Sequence, residues 1–162
     1  MSGLVIFESG DLSVADQREL VIKMQGELLD MEQAKIVTSH RFLPGIYERT
    51  ITIPPWTVLT GAAHKTQYRV RLESGTIAVN TDSGVKVLVA PMEFDVPAGF
   101  QRAGRVFDEE VVWTDIYENQ DNCRDIELLE GRLYEVPACG LGENRRLKGE
   151  LIWRDGSQAQ LS

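Results

Sequence analysis

From Ile46 onward the chain alternates with a period of two. "IYERTITI", "YRVRL", "TIAV", "VKVLVA", "FDV" and "VVWTDIY" are short runs rich in Val, Ile, Tyr and Trp. Such alternation puts successive side chains on opposite faces of a strand. Turn chemistry separates the runs at Ser74-Gly75, Asp82-Ser83-Gly84 and Pro97-Ala98-Gly99. Pro54-Pro55 cannot donate to a ladder and so ends the first run. Strands this short and this regularly spaced predict an antiparallel sandwich or barrel. At 162 residues the chain is long enough for one such domain with a substantial core.

The flanks read differently. In "SVADQRELVIKMQGELLDMEQ", Ser13 and Asp16 form a capping arrangement, and Val14, Val21, Met24, Leu28 and Met31 recur at helical spacing. Gly26 weakens that helix by roughly 1 kcal/mol relative to alanine. Its apolar stripe either packs on its own domain or serves a subunit contact. After residue 118, "ENQDNCRDIELLEGRL" reads as a polar loop entering a short helix with Glu127, Glu130 and Glu135 on a solvated face. "ENRRLKGELIWRDG" adds a candidate last strand and "SQAQLS" a frayed tail. The chain divides into a helical extension (1–45), a barrel (46–118) and a C-terminal helix and strand packing on it (119–162), one domain overall.

Composition narrows the function classes. The formal net charge of −8 argues against a protein that coats DNA, RNA or anionic membrane by overall attraction, so no polymeric nucleic acid and no membrane is expected as partner. No stretch approaches the roughly 18 apolar residues of a membrane span, and "MSGLVIFESGDLS" lacks the pattern of a signal peptide. Cys123 and Cys139 are too few and too irregular for a disulfide framework or zinc cluster, and two free thiols suit a reducing cytoplasm. No G-x-S-x-G, phosphate-cradling glycine loop or H-E-x-x-H is present.

Two segments stand in the order and spacing of a known motif pair. "TGAAHKTQYRVRLESGTIAV" and "APMEFDVPAGFQRAG" resemble the two motifs of the cupin (RmlC-like jelly-roll) superfamily over about residues 46–118. The run of "LPGIYERTITIPPWTVLTGAAHKT", "SGTIAVNTDSGVKVLVAP" and "PAGFQRAGRVFDEEVVWTDIY" is also similar to small cupin-like proteins of tailed bacteriophages. The resemblance implies a mainly β fold: a double-stranded β-helix (jelly-roll) barrel with an N-terminal helix and a short C-terminal helix. It also implies a homo-oligomer, a dimer by preference, and, for a phage protein, the host cytoplasm.

The departures from the motifs bear on chemistry. Metal-binding cupins take two histidines and a glutamate from the first motif and a histidine from the second. Here His64 fills one position, Thr66 stands at the next, and Arg102 occupies the place of the last histidine. A guanidinium stays protonated and is no ordinary metal ligand, so no metal and no cofactor is expected.

On an extended strand His64, Thr66, Tyr68, Val70 and Leu72 share a face, which the resemblance puts inside the barrel. Lys65, Gln67, Arg69 and Arg71 then point outward, and Arg102 enters the mouth from the second motif. Trp113 alternates with Val111 and Asp115 and reads first as core; with Tyr117 it completes a candidate set of His64, Thr66, Tyr68, Arg102, Trp113 and Tyr117. These donors suit a phosphate or carboxylate. Arg69, Arg71, Arg105 and Trp56 are candidates for a rim or subunit contact. Arg102 and Arg105 have an alternative in pairing with Asp108-Glu109-Glu110, and His40 reads as a surface residue. The expected partner is a small anionic molecule, and the narrowest form of that expectation is a sponge for a cyclic nucleotide or cyclic ADP-ribose immune signal. An isomerase or epimerase using His64 with Tyr68 or Tyr117, oriented by Asp115, is the enzymatic alternative, and a virion assembly protein is the structural one.

Overall fold

The computed structural model describes residues 13–28, 30–31 and 34–135 of the chain. Helix α1 (Val14–Leu28) precedes nine strands: β1 (Val37–Leu43), β2 (Ile46–Ile53), β3 (Val58–Thr60), β4 (Tyr68–Ser74), β5 (Thr76–Thr81), β6 (Gly84–Val89), β7 (Met92–Val96), β8 (Ala103–Val106) and β9 (Val111–Glu118). Helix α2 (Ile126–Leu133) follows. The strands form two antiparallel sheets, ordered β1-β2-β9-β4-β7 and β3-β8-β5-β6. From β2 to β9 the chain crosses repeatedly between the sheets, which is the winding of a jelly roll.

Alternation sets the two faces. Tyr68, Val70 and Leu72 on β4 and Val111, Trp113, Asp115 and Tyr117 on β9 are buried between the sheets. Arg69 and Arg71 point outward, as expected. At the β4–β5 turn only glycine fits, because Gly75 has φ +88° and an added Cβ would lie 2.5 Å from the Glu110 carbonyl oxygen.

Helix α1 begins as the capping pattern predicts, with the Asp16 amide donating to Ser13 Oγ at 3.1 Å. Its stripe is consumed by its own domain: Val21, Met24 and Leu28 belong to the core. Gln17 Nε2 donates to the Thr81 carbonyl and Gln25 Nε2 to that of Gly61. The stripe is therefore closed to a subunit contact, while Met31 falls beyond the helix and is exposed. Helix α2 starts at Asp125, whose carboxylate accepts from the Leu128 amide. Its Glu130 is buried rather than solvated, because the helix packs Leu129 and Leu133 inward and carries Glu130 with them. Glu127 is exposed as expected, and Glu135 pairs with Arg18 at 3.2 Å.

Strand β1 lies inside the stretch assigned to a helical extension. It is an edge strand with mostly exposed side chains, so it has no buried face to impose apolar alternation. The three residues of β3 are too few to show a period. The candidate last strand, the tail and Cys139 lie outside the described residues. No helix among the described residues is long and apolar enough to cross a membrane.

Candidate functional site

Between the sheets lies a cavity of about 70 Å³. Ile51, Ile53, Ile77 and Val79 supply its apolar wall, and His64, Tyr68, Arg102, Trp113, Asp115 and Arg49 its polar one. Register explains how the charged residues come together. Arg49 on β2 lies opposite Asp115 on β9, and Asp115 lies opposite Val70 on β4, so the carboxylate sits mid-sheet on the inward face.

Asp115 is a hub. Its Oδ1 accepts from Trp113 Nε1 at 2.8 Å and its Oδ2 from the Tyr117 hydroxyl at 3.0 Å. Burial raises the pKa of the carboxyl, with Arg49 and these two donors working against the rise. The Tyr117 oxygen lies 2.8 Å from His64 Nε2 and 3.3 Å from the Tyr134 hydroxyl. Because Tyr117 gives its proton to Asp115, this network assigns the proton of His64 to Nε2. Nδ1 lies beside the Ala62 backbone but makes no well-formed hydrogen bond.

The imidazole is neutral. Burial pulls the His64 pKa down to about 3, helped by Arg49 and Arg102 and opposed only by the Ala62 backbone. Its ring stacks on Tyr68 with centroids 3.9 Å apart and meets Tyr134 edge-on at 4.9 Å. A single backbone bridge between His64 and Tyr134 joins the loop before β4 to the end of α2.

The sign of a pH dependence follows. Below pH 6.5 unfolded His64 takes up a proton that folded His64 refuses until about pH 3. Stability from this group is therefore complete above pH 6.5 and declines as pH falls, by up to about 1.4 kcal/mol per pH unit. Asp115, with its raised pKa, acts in the opposite sense where it titrates. The expected result is that His64→Gln flattens the acid side of the stability profile between pH 6.5 and 4, read by denaturant unfolding at each pH. An unchanged slope would show that His64 charges freely in the fold.

Arg102 stands in the loop before β8. Its guanidinium is enclosed by the rings of Phe100, Phe94 and Trp113, at 5.0, 5.3 and 5.9 Å from their centroids. Nη1 donates to the Asn80 carbonyl at 3.0 Å, and the head group also hydrogen-bonds Tyr68. Burial lowers its pKa, with Tyr68 and Asp115 opposing. Nε is buried with no hydrogen-bond partner. Among the described residues no carboxylate oxygen lies within 4.0 Å of this cation. Arg102 also lines a groove of about 240 Å³ between β6 and β7, together with Lys86, Phe94 and Phe100.

Of the expected site residues, His64, Tyr68, Arg102 and Trp113 line the cavity, and Tyr117 stands behind His64. Thr66 does not join them. The chain bends at residues 65–66 before β4 begins, so the alternation from His64 is interrupted and Thr66 is exposed. Arg69 is tied to Glu93 and Asp95 at 2.9 Å each, and Arg71 to Glu48 at 3.1 Å, all on the outer face. Arg105 is exposed over the Phe107 ring, and no ion pair joins it or Arg102 to residues 108–110. Trp56 is exposed, with φ 58°, and does not line the cavity. His40 is exposed but shares a 2.7 Å hydrogen bond with Tyr47. Arg49 was legible in "IYERTITI", where it keeps step with the buried Tyr47, Ile51 and Ile53. Tyr134 carried no such signal.

The residues present do not fit a cupin metal. His64 is the one imidazole at the cavity, Thr66 faces away, and the Arg102 cation repels another. Among the described residues no three His, Cys, Asp or Glu side chains converge. Elemental analysis of protein purified without chelator is expected to find no stoichiometric transition metal. One equivalent of iron, manganese, nickel or zinc per chain, lost on His64→Ala, would contradict this.

No protein-family model matches the sequence, and neither does any curated protein. The solved structures it resembles include cupin-superfamily proteins. One is a cupin superfamily protein from Desulfitobacterium hafniense, at 10% identity and TM-score 0.45, covering 53% of this chain and 79% of that one. A second is the Cupin_2 domain of an XRE family transcriptional regulator from Enterobacter cloacae, at 14% and 0.46, covering 52% and 96%. A third is the DMSP lyase DddQ from Ruegeria pomeroyi, at 10% and 0.47, covering 52% and 47%. At such identities and TM-scores they carry nothing about ligand or chemistry.

Proposed function

We propose that this cupin-type chain is a non-enzymatic binding protein whose barrel takes a small organic anion, anchored by Arg102. The observation that carries this reading is the Arg102 guanidinium among three aromatic rings, with a buried, unpartnered Nε and no carboxylate oxygen within 4.0 Å among the described residues. A buried charge is costly unless paired, and a ligand carboxylate would supply the missing partner through charge-assisted hydrogen bonds. The apolar wall suits a short carbon body. At about 70 Å³ the space holds roughly two waters' worth of ligand.

Catalysis is the weaker reading. A histidine with a pKa of about 3 holds no acidic proton near neutrality and is a poor base. Its neighbour Tyr117 is pushed well up by burial. An isomerase or epimerase would need one of them poised near the working pH.

A nucleotide reading has one specific support. Arg102 is shared with the groove between β6 and β7, where Lys86 adds a second cation beside the carboxylates of Asp82 and Asp95, and Phe94 and Phe100 offer ring faces. A cyclic nucleotide exceeds the inner cavity, so a sponge for nucleotide immune signals would hold its ligand in that groove, with a phosphate at Arg102. Mass spectrometry of small molecules released from the purified protein on denaturation tests the binding reading. A recovered organic acid supports the cavity, a recovered nucleotide supports the groove, and a chemically altered ligand after long incubation supports an enzyme. Recovery of nothing, with no binding to a panel of both classes, would leave assembly as the function.

A further inference from the structure

Strand β6 ends the four-stranded sheet, and no described strand pairs with its outer edge. Thr81 faces Gly84 across a two-residue turn, Val79 faces Lys86 and Ile77 faces Leu88. The Ala90 amide continues this parity by donating to the Gly75 carbonyl at 3.0 Å. In an antiparallel ladder alternate residues direct both backbone groups to the same neighbour. The amides and carbonyls of Val85, Val87 and Val89 therefore point to the edge that no described strand covers.

The side chains of the same residues form an apolar row, with 36%, 59% and 61% of their surfaces exposed. Edges of this kind are usually guarded by charge, proline or a bulge. The corresponding edge strand of the other sheet, β7, is guarded: Glu93 and Asp95 are held there by Arg69. On β6 the only charge is Lys86, which lines the groove on the opposite side of the strand from the valines.

We propose that two copies of this chain pair β6 to β6, antiparallel, about a two-fold axis at Val87, joining their four-stranded sheets into one. The sequence "GVKVLV" is self-complementary about that point. Val87 meets the partner's Val87, and Val85 meets the partner's Val89, each as a pair exchanging both backbone hydrogen bonds. Lys86 meets the partner's Leu88, so no like charges stand directly opposed. An axis one residue earlier would set Lys86 against its own copy, which is destabilising. Such isologous, two-fold pairing is the commonest symmetry among homo-oligomers. The inner cavity lies away from the seam, whereas the groove between β6 and β7 borders it through Lys86 and Leu88.

The test uses the full chain. Light scattering at micromolar concentration is expected to give the mass of a dimer. Val87→Lys places two ammonium groups on the axis and is expected to weaken the dimer by roughly 100-fold or more. Circular dichroism should remain unchanged, since Val87 is exposed. In a Cys123→Ser, Cys139→Ser background, Val87→Cys chains should cross-link on mild oxidation. Val85→Cys chains should cross-link only when mixed with Val89→Cys chains. A monomeric wild type, or a dimer that persists in Val87→Lys and does not cross-link through position 87, would overturn the proposal.

Discussion

Asp115→Ala is expected to lower the free energy of unfolding by about 3–5 kcal/mol, the cost of removing one partner from a buried charged network. The substitution strands the Trp113 Nε1–H and the Tyr117 hydroxyl proton, both buried. It also removes the carboxylate that faces Arg49 across β2 and β9. For a domain of this size the melting midpoint should fall by roughly 10 °C or more. Asp115→Asn keeps the shape and one acceptor oxygen, so its cost should be smaller, about 1–3 kcal/mol. Denaturant unfolding of the three proteins decides the matter. If Asp115→Ala unfolds at the wild-type midpoint, the carboxylate is not the hub of the inner network.

If the barrel takes an anion as proposed, Arg102→Ala is expected to reduce affinity for it by roughly 30- to 4000-fold, the range for losing one side of a desolvated charged contact. Arg102→Lys should recover only part of that loss, because an ammonium lacks the planar fork and stacks less well among Phe94, Phe100 and Trp113. His64→Ala should cost less, since the single proton of the neutral imidazole is already given to Tyr117. Arg71→Ala is the control: its guanidinium is committed to Glu48 on the outer face. Calorimetry with short-chain carboxylates, inorganic phosphate and cyclic nucleotides measures the set. Wild-type affinity in Arg102→Ala, with a loss in Arg71→Ala, would move the site to the outer face of the barrel.

The inward and outward halves of β4 and β9 were legible because a strand has an exact two-residue period, and one buried face imposes it on the sequence. Tyr68, Val70 and Leu72 against Arg69 and Arg71 follow from that alone. The start of α1 was legible for a comparable local reason, as Ser13 caps an amide three residues away. Thr66 shows the limit of this reasoning. Periodicity carries a face along a strand only while the chain stays extended, and the bend at residues 65–66 resets it. Nothing within "HKTQY" marks that bend, because it is held from outside: the Lys65 amide donates to the Leu133 carbonyl, and the His64 carbonyl accepts from Gly99.

What the sequence determined by itself is therefore the set of faces. Alternation, turns and caps are local preferences of neighbouring residues, and they specify an antiparallel sandwich or barrel and its core strands. What only the tertiary structure decided is company. Arg49 meets Asp115, Tyr134 meets His64, and Arg102 settles among Phe94, Phe100 and Trp113 without a carboxylate beside it. Charge and protonation depend on these neighbours, which lie far apart in the chain and come together only when both sheets close. His64 is neutral because of where the fold buries it, and burial is a property of the whole assembly of strands.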